Sequence, residues 1–103
     1  MKKNLYPKFI VEGDCLIMSA VSFHKELSTV KNRVKGGGWY KMDEENKTIT
    51  FYGRSYDFGA VTPEDILCCI VAGNIFLDKK KKVRLSEDYK FFYENGDIII
   101  ELK

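Results

Sequence analysis

The fold is decided around residues 62–73, which read TPEDILCCIVAG. Thr62 is a good helix N-cap and Pro63 suits the first helical position, while the acidic residues at 64 and 65 complement the positive end of the helix dipole. Gly73 supplies the left-handed stop that ends many helices. Because residues 66–72 are all apolar, we expect the helix Thr62–Ala72 to be buried on more than one side.

The last stretch of the chain predicts a β-hairpin. Asn95-Gly96 is the preferred dipeptide of a two-residue type I′ turn. A helical alternative rests on the spacing of Tyr89, Phe92 and Tyr93, but the turn and its register favour the hairpin. The register places apolar pairs on one face and charged pairs on the other: Tyr93 with Ile98, Phe91 with Ile100, Tyr89 with Leu102, Lys90 with Glu101, and Asp88 with Lys103.

Three further hairpins are predicted upstream. Gly13-Asp14 gives a second two-residue turn. It pairs Val11 with Leu16 and Phe9 with Met18. The other two hairpins join Trp39–Met42 to Ile49–Tyr52 through a polar loop at Asp43–Thr48, and Ile75–Leu77 to Val83–Leu85 across Asp78–Lys82.

The segment from about His24 to Lys35 is ambiguous in its pattern. Phe23, Leu27, Val30 and Val34 recur at offsets of four, three and four. This spacing is typical of a short amphipathic helix that ends at Gly36. A strand extension or an irregular loop are the alternatives.

Length and composition indicate one small domain. The 103 residues fit a single domain, 1–103, and the aromatic content of 14% favours β structure. We therefore predict an α+β fold: an antiparallel, bent sheet or partly open barrel of six to eight short strands, built from hairpins. One main helix packs against it, and a second short helix at His24–Lys35 is an open alternative.

Charge and cysteine content limit the functional classes. The net charge of +2 predicts neither a strong nucleic-acid binder nor a membrane-surface protein. No apolar run reaches the roughly 18 residues of a membrane span, and the first residues do not read as a signal peptide. Three cysteines, at 15, 68 and 69, are an odd number, which predicts free thiols, a cytoplasmic location and core positions for Cys68 and Cys69.

The first candidate binding segment surrounds the glycines at 36–38. Basic groups next to aromatic rings are the ingredients of single-strand nucleic-acid binding. In the competing interpretation, the basic residues complement a helix C-terminus and the glycines end that helix. The candidate residues are Lys31, Arg33, Lys35, Trp39 and Tyr40.

Two other segments are candidates for binding. Arg54 and Tyr56 lie on a predicted loop before the helix N-terminus, where ligand-contacting residues often occur. A dense basic run is explained by a solvated hairpin tip, and a nucleic-acid role would require this tip to lie beside Arg33 and Lys35. The run consists of Lys79, Lys80, Lys81 and Lys82.

The sequence gives weak support to an enzymatic function. His24 is the one histidine, and it is flanked by Lys25 and Glu26 with no local sign of an activated nucleophile. The adjacent Cys68 and Cys69 diverge on a helix and cannot chelate one metal ion. We therefore expect no enzyme, no catalytic residues, no metal and no cofactor.

The aromatic surplus suggests a binding surface. We predict a small soluble binding or adaptor module that acts through protein–protein contacts, with a protein partner or by self-association. Nucleic-acid binding through the basic clusters, with aromatic stacking, is the alternative. No membrane association is expected.

Overall fold

A computed structural model describes residues 5–56, 58–78, 81–82 and 89–102. Within them, one curled, mostly antiparallel sheet of eight strands is joined by one α-helix, which confirms the predicted α+β fold. The strand order is β6-β5-β2-β1-β3-β4-β8-β7, and the β2–β5 pair is parallel. The elements are β1 Tyr6–Glu12, β2 Cys15–Val21, β3 Val34–Asp43, β4 Thr48–Tyr52, α1 Pro63–Ala72, β5 Ile75–Leu77, β6 Lys81–Lys82, β7 Tyr89–Glu94 and β8 Asp97–Leu102.

The turn chemistry gave the correct register in the predicted two-residue hairpins. Tyr93 is paired with Ile98 and Phe91 with Ile100, around Asn95 and Gly96 at positive φ. The pairing of Asp88 with Lys103 lies outside the described residues. The first hairpin pairs Val11 with Leu16 and Phe9 with Met18, and the third joins β3 to β4 as predicted.

The fourth hairpin differs from its prediction. Phe76 pairs with Lys82 and Leu77 with Lys81, so the returning strand includes residues of the predicted loop. The predicted strand Val83–Leu85 itself lies outside the described residues. Asp78 adopts a left-handed conformation with φ of 55°. A short acidic residue tolerates this conformation, which lets the chain turn directly after β5.

The segment from His24 to Lys35 does not form one helix. It contains two short 3-10 helices, His24–Leu27 and Lys31–Arg33, and β3 already begins at Val34. The backbone N–H groups of Thr29 and Val30 donate to the Glu12 carboxylate. A continuous helix would need those same donors for its own carbonyl groups, so the side chain of Glu12 competes directly with the helix.

The caps of α1 are confirmed. Thr62 Oγ1 accepts from Asp65 N at 3.2 Å, Asp65 Oδ2 accepts from Thr62 N at 3.1 Å, and Gly73 is left-handed. The expected burial on several sides is wrong, because only the face toward the sheet is covered. Val71 is 74% exposed and Cys68 is also exposed, while burial raises the pKa of Cys69 to about 12.

Both faces of β1 and β2 are buried. Alternate residues of a strand point to opposite faces of the sheet. The face toward α1 holds the main core, which includes Phe9, Val11 and Ile66. The opposite face holds a second cluster of Ile10, Ile17, Val21 and Leu27. In the described part of the chain, no helix has the length and apolar character needed to cross a membrane.

The glycines at 36–38 allow backbone to approach backbone. A Cβ on Gly36 would lie 2.5 Å from the carbonyl oxygen of Ala60, and one on Gly38 would lie 2.5 Å from that of Tyr52. These neighbours are main-chain atoms, which cannot move as the end of a flexible side chain can. The triple glycine is therefore a packing requirement of β3 rather than a helix stop.

Substituting Gly36 with alanine should destabilise the fold strongly. We expect the free energy of unfolding to fall by about 3 kcal/mol, at the upper end of overpacking effects, because the new methyl group meets the backbone of Ala60. Urea denaturation followed by Trp39 fluorescence measures the change. Gly96→Ala is the control, since a Cβ at that position would have no other atom within 4 Å and only the strain of φ 86° applies, about 1 kcal/mol. Equal losses for the two variants would contradict the close-approach argument.

Removing the N-cap hydroxyl should have a smaller effect. Thr62→Ala loses the acceptor for Asp65 N, and we expect a loss of about 1 kcal/mol in the free energy of unfolding. Thr62→Ser keeps the hydroxyl and should remain within about 0.5 kcal/mol of the natural protein, a typical surface effect. If both variants lose the same amount, the capping box does not stabilise α1.

Candidate functional site

A pocket of about 390 Å³ opens on the side of the sheet opposite α1. It lies where β1 and β3 meet the segment after β2 and the loop after β4. Its volume is in the range of small-molecule sites. Two lysines and the one histidine of the chain face it together with three aromatic side chains. The lining residues are Lys8, Ser22, Phe23, His24, Lys25, Trp39 and Tyr56.

Lys8 is a buried cation at this pocket. Its side chain stands on β1 and the residue is only 9% exposed. The ammonium group donates to the carbonyl oxygen of Ser22 at 2.5 Å and lies 5.5 Å from the centre of the Trp39 ring. Among the described residues, no carboxylate lies within 4 Å of Lys8 Nζ. The positive charge is thus stabilised by a carbonyl dipole and aromatic faces, and not by an ion pair.

His24 is fixed by the strand beside it. The residue is 3% exposed, and its Nε2 lies 2.7 Å from the carbonyl oxygen of Gly38. Because a carbonyl oxygen can only accept, Nε2 carries the proton, and in the neutral ring Nδ1 is unprotonated. The ring also meets Trp39 edge to face, with centroids 5.3 Å apart. The imidazole therefore has one defined tautomer and orientation.

Tyr56 reaches the pocket through the loop at residues 53–60. Ser55 N donates to the carbonyl oxygen of Gly37, and Gly37 N donates to the carbonyl oxygen of Gly59, both at 2.9 Å. The loop thus extends the sheet where β4 no longer pairs with β3. Ser55 is buried at the contact, while Tyr56 next to it is fully exposed at the rim.

The remaining wall comes from the turn that follows β2. Phe23 N donates to Glu26 Oε2 at 2.7 Å, which begins the 3-10 helix of His24–Leu27. Lys25 Nζ lies 5.3 Å from the centre of the Phe23 ring. Phe23 is 58% exposed, so this aromatic group and the Lys25 ammonium stand together at the mouth of the pocket.

Of the residues predicted from sequence, Trp39 and Tyr56 lie at the pocket. Tyr40 faces the opposite way and is buried in the main core, where burial raises the pKa of its hydroxyl. Trp39 and Tyr40 are neighbours on one strand, so their side chains lie on opposite faces of the sheet. Only one of the two aromatic groups is available to a ligand there.

The predicted basic residues are dispersed over the described structure. Lys35 Nζ lies 3.8 Å from Asp65 Oδ1 at the start of α1, and the Arg33 guanidinium group packs against Gly13. Arg54 is exposed on its loop. The exposed Lys81 and Lys82 form β6, an edge strand four positions from β3. Lys79, Lys80 and the side chain of Lys31 lie outside the described residues.

Sequence reasoning missed most of the lining residues, above all Lys8 and His24. His24 has no neighbour in sequence that suggests a site, because its partner Gly38 is 14 residues away. Lys8 shares one face of β1 with the apolar Ile10 and with Glu12, a mixed pattern that does not by itself indicate a binding site. In the structure, the segment after β2 covers this face.

The chemistry of this arrangement favours an anionic ligand. The pocket contains two ammonium groups, and none of its described lining residues carries a carboxylate. An imidazole with a fixed tautomer and a serine add further polar groups. Lysine ammonium groups bind phosphate-type oxyanions as point charges.

Comparisons with known proteins give one match. No curated protein and no solved structure matches the chain. The family model Ocnus, described as Janus/Ocnus family, matches residues 12–82. This span includes His24, Trp39 and Tyr56 but begins after Lys8. Because it covers more than half of the chain, the chain belongs to the Janus/Ocnus family.

Proposed function

We propose that the chain binds a protein partner and that the pocket accommodates a phosphate-type oxyanion attached to that partner. The observation that supports this most directly is Lys8, a buried ammonium group at the pocket with no described carboxylate within ion-pair distance. A buried charge is costly unless it is paired. A bound oxyanion would supply a negative charge that none of the described residues provides within ion-pair distance of Lys8.

The pocket offers directed contacts for such a group. Lys8 Nζ has three N–H donors, and one of them is directed at the carbonyl oxygen of Ser22. Lys25 adds a second positive charge at the mouth, where its exposure leaves the ammonium group able to move toward a ligand. The hydrogen bond to Gly38 holds His24 in place beside them. The two ammonium groups, which have several N–H donors, suit an oxyanion with several acceptor oxygens.

The rim supports a protein as the carrier. Tyr56 is 100% exposed, Phe23 is 58% exposed, and Tyr6 beside Lys8 is 49% exposed. Aromatic side chains are enriched in protein interfaces because they bury large areas with few rotatable bonds. A rim of this composition fits the predicted module that acts through protein–protein contacts better than a site for free phosphate alone.

The predicted nucleic-acid alternative receives less support. It relied on adjacent basic clusters with Trp39 and Tyr40 stacking on bases. Lys35 is paired with Asp65, Tyr40 is buried, and Lys81 and Lys82 lie four strands from Trp39. The described basic residues therefore do not form one stripe along a groove, which nucleic-acid binding requires.

Inorganic phosphate should bind to the pocket and alter the fluorescence of Trp39, the one tryptophan in the chain. Lys8→Met keeps the length of the side chain and removes its charge. We expect the Kd for phosphate to rise roughly 10- to 100-fold, because a hydrogen bond to a charged group contributes about 1.5–3 kcal/mol. Titration with phosphate at constant ionic strength, followed by Trp39 fluorescence, measures the Kd of the natural protein and of the variant.

Lys90→Met is the matched control for that titration. Lys90 is exposed on β7, at the edge of the sheet far from β1, and its substitution changes the net charge by the same amount. It should leave the Kd unchanged within a factor of two. No fluorescence response in the natural protein, or equal effects of the two substitutions, would refute a phosphate site at Lys8.

A second candidate function is hydrolysis of the bound phosphoryl group. The observation that favours it is the tautomer of His24: because Nε2–H donates to the carbonyl oxygen of Gly38, the basic lone pair of the neutral ring is on Nδ1. In this step a water oxygen attacks phosphorus and the bond from phosphorus to the leaving alcohol oxygen breaks. One proton of the water moves to Nδ1 and from there to the leaving oxygen, so the products are inorganic phosphate and the alcohol and the imidazole returns to its neutral form. The prediction of a protein without catalytic activity, drawn from the sequence, is the competing proposal.

His24→Gln separates these two possibilities. The glutamine amide can still donate to the carbonyl oxygen of Gly38, but it has no group that can act as the base. With p-nitrophenyl phosphate as the probe, we expect natural protein to release nitrophenolate and the variant to be slower by about 10²–10⁴-fold. Phosphate binding, read from Trp39, should persist in the variant. Absence of turnover in the natural protein, or full activity of His24→Gln, would reject catalysis while leaving the binding proposal intact.

A further inference from the structure

Glu12 makes an unusual set of contacts for a carboxylate on a central strand. The residue is 9% exposed, and it stands on the same face of β1 as Lys8. Its Oε2 accepts from Ser28 Oγ at 3.0 Å and from Thr29 N at 2.9 Å. Its Oε1 accepts from the Thr29 hydroxyl and from Val30 N at 3.2 Å. Both carboxylate oxygens are thus used to hold residues 28–30.

These contacts are strong for the carboxylate form. Burial raises the pKa of Glu12, but the hydrogen bonds from Thr29, Ser28 and Val30 outweigh that effect and hold the pKa below its ordinary value. Hydrogen bonds to an ionised acceptor are shorter and stronger than neutral ones. The four bonds therefore tie the segment to β1 firmly.

The residues held by Glu12 belong to the connection between β2 and β3, residues 22–33, which also forms one wall of the pocket. Ser22, Phe23, His24 and Lys25 all belong to it, and it contains only 3-10 helices of three and four residues. Such short turns have poor hydrogen-bond geometry and little stability of their own. The position of the wall therefore depends on contacts from outside the segment.

β1 supplies those contacts at three successive positions on one face. Lys8 binds the beginning of the segment through the carbonyl oxygen of Ser22. Ile10 shares a buried cluster with Leu27, at the end of the first 3-10 helix. Glu12 binds residues 28–30 directly beyond it. His24 therefore lies between the contact of Lys8 with Ser22 on one side and the contacts of Ile10 and Glu12 on the other.

We infer that Glu12 is a positioning residue of the pocket: its carboxylate fixes residues 28–30 and thereby holds His24 and its neighbours in the geometry that binds the oxyanion. Glu12 itself does not line the pocket. The inference rests on the proposed phosphate site for its binding readout, but the placement of His24 can be measured without any ligand.

The test compares Glu12→Gln with the natural protein. An amide has one oxygen and one nitrogen, so it cannot accept at both positions, and at least one pair of donors loses its partner. In the variant we expect the segment to occupy the binding-competent position about one tenth of the time. The apparent Kd for inorganic phosphate should then rise about tenfold. Glu94→Gln is the control, because Glu94 is exposed on β7 and its substitution changes the charge equally.

Nuclear magnetic resonance of the ligand-free protein supplies the second readout. His24 is the one histidine, so its imidazole Nε2–H signal is assigned without ambiguity. In Glu12→Gln we expect this proton and the amides of residues 22–30 to exchange with solvent at least tenfold faster. The amides of β4 and β8, which lie away from the segment, should keep their exchange rates. A purely structural role would accelerate exchange throughout the sheet.

The outcomes separate the two proposals. Local acceleration of exchange supports positioning by Glu12 even when phosphate fails to bind, and that failure refutes only the proposed function. Unchanged exchange at His24, an unchanged Kd in a protein that does bind phosphate, or uniform acceleration across the sheet overturns the inference. Thr29→Val, which removes one of the four bonds and keeps the shape of the side chain, replaces Glu12→Gln if that variant does not fold, with the same local pattern expected.

Discussion

The structure depends on β1 being buried on both faces. Phe9 and Val11 pack toward α1, while Lys8, Ile10 and Glu12 lie on the opposite face, under the segment that follows β2. An edge or half-exposed strand could present polar side chains to water on that second face. Here the charged side chains of Lys8 and Glu12 must find partners inside the protein. Both find them in the segment after β2, at Ser22 and at Thr29. The covering segment and the pocket are consequences of that requirement.

The second constraint is the close approach of backbones at β3. Gly36, Gly37 and Gly38 leave no side chain between β3 and its neighbours, so β1 lies on one side and the loop at 53–60 on the other. The carbonyl oxygen of Gly38 remains available for His24 because the histidine ring can reach the strand directly. A Cβ on Gly37 would also lie 3.2 Å from His24 Cδ2. The same glycines therefore allow both the close packing of backbone against β3 and the contact of the His24 imidazole with this strand.

The sequence was sufficient wherever structure is determined by neighbouring residues. The Asn95-Gly96 and Gly13-Asp14 turns fix their strand registers locally, and Thr62 with Gly73 marks the ends of α1. Prediction failed where a distant group decides: the helical spacing from Phe23 to Val34 is overridden by Glu12, which lies more than ten residues earlier. The pocket was not predictable for the same reason, since its residues come from separate segments. Of the candidate residues, Trp39 and Tyr56 lie there, whereas Lys8 was not among the residues predicted for a site.

The two charged residues of β1 make this face of the strand costly to bury. Lys8 and Glu12 are four residues apart on one strand, about 13 Å, which is too far for direct pairing. Each charge therefore bears its own desolvation cost, and well-packed apolar residues in place of buried charges are often neutral or stabilising. Glu12 offsets its cost with four hydrogen bonds, whereas Lys8 retains a charge that the described protein does not neutralise. An oxyanion bound beside Lys8 would supply the counter-charge that the described residues do not provide, and it would thereby offset the cost of placing an ammonium group on this covered face.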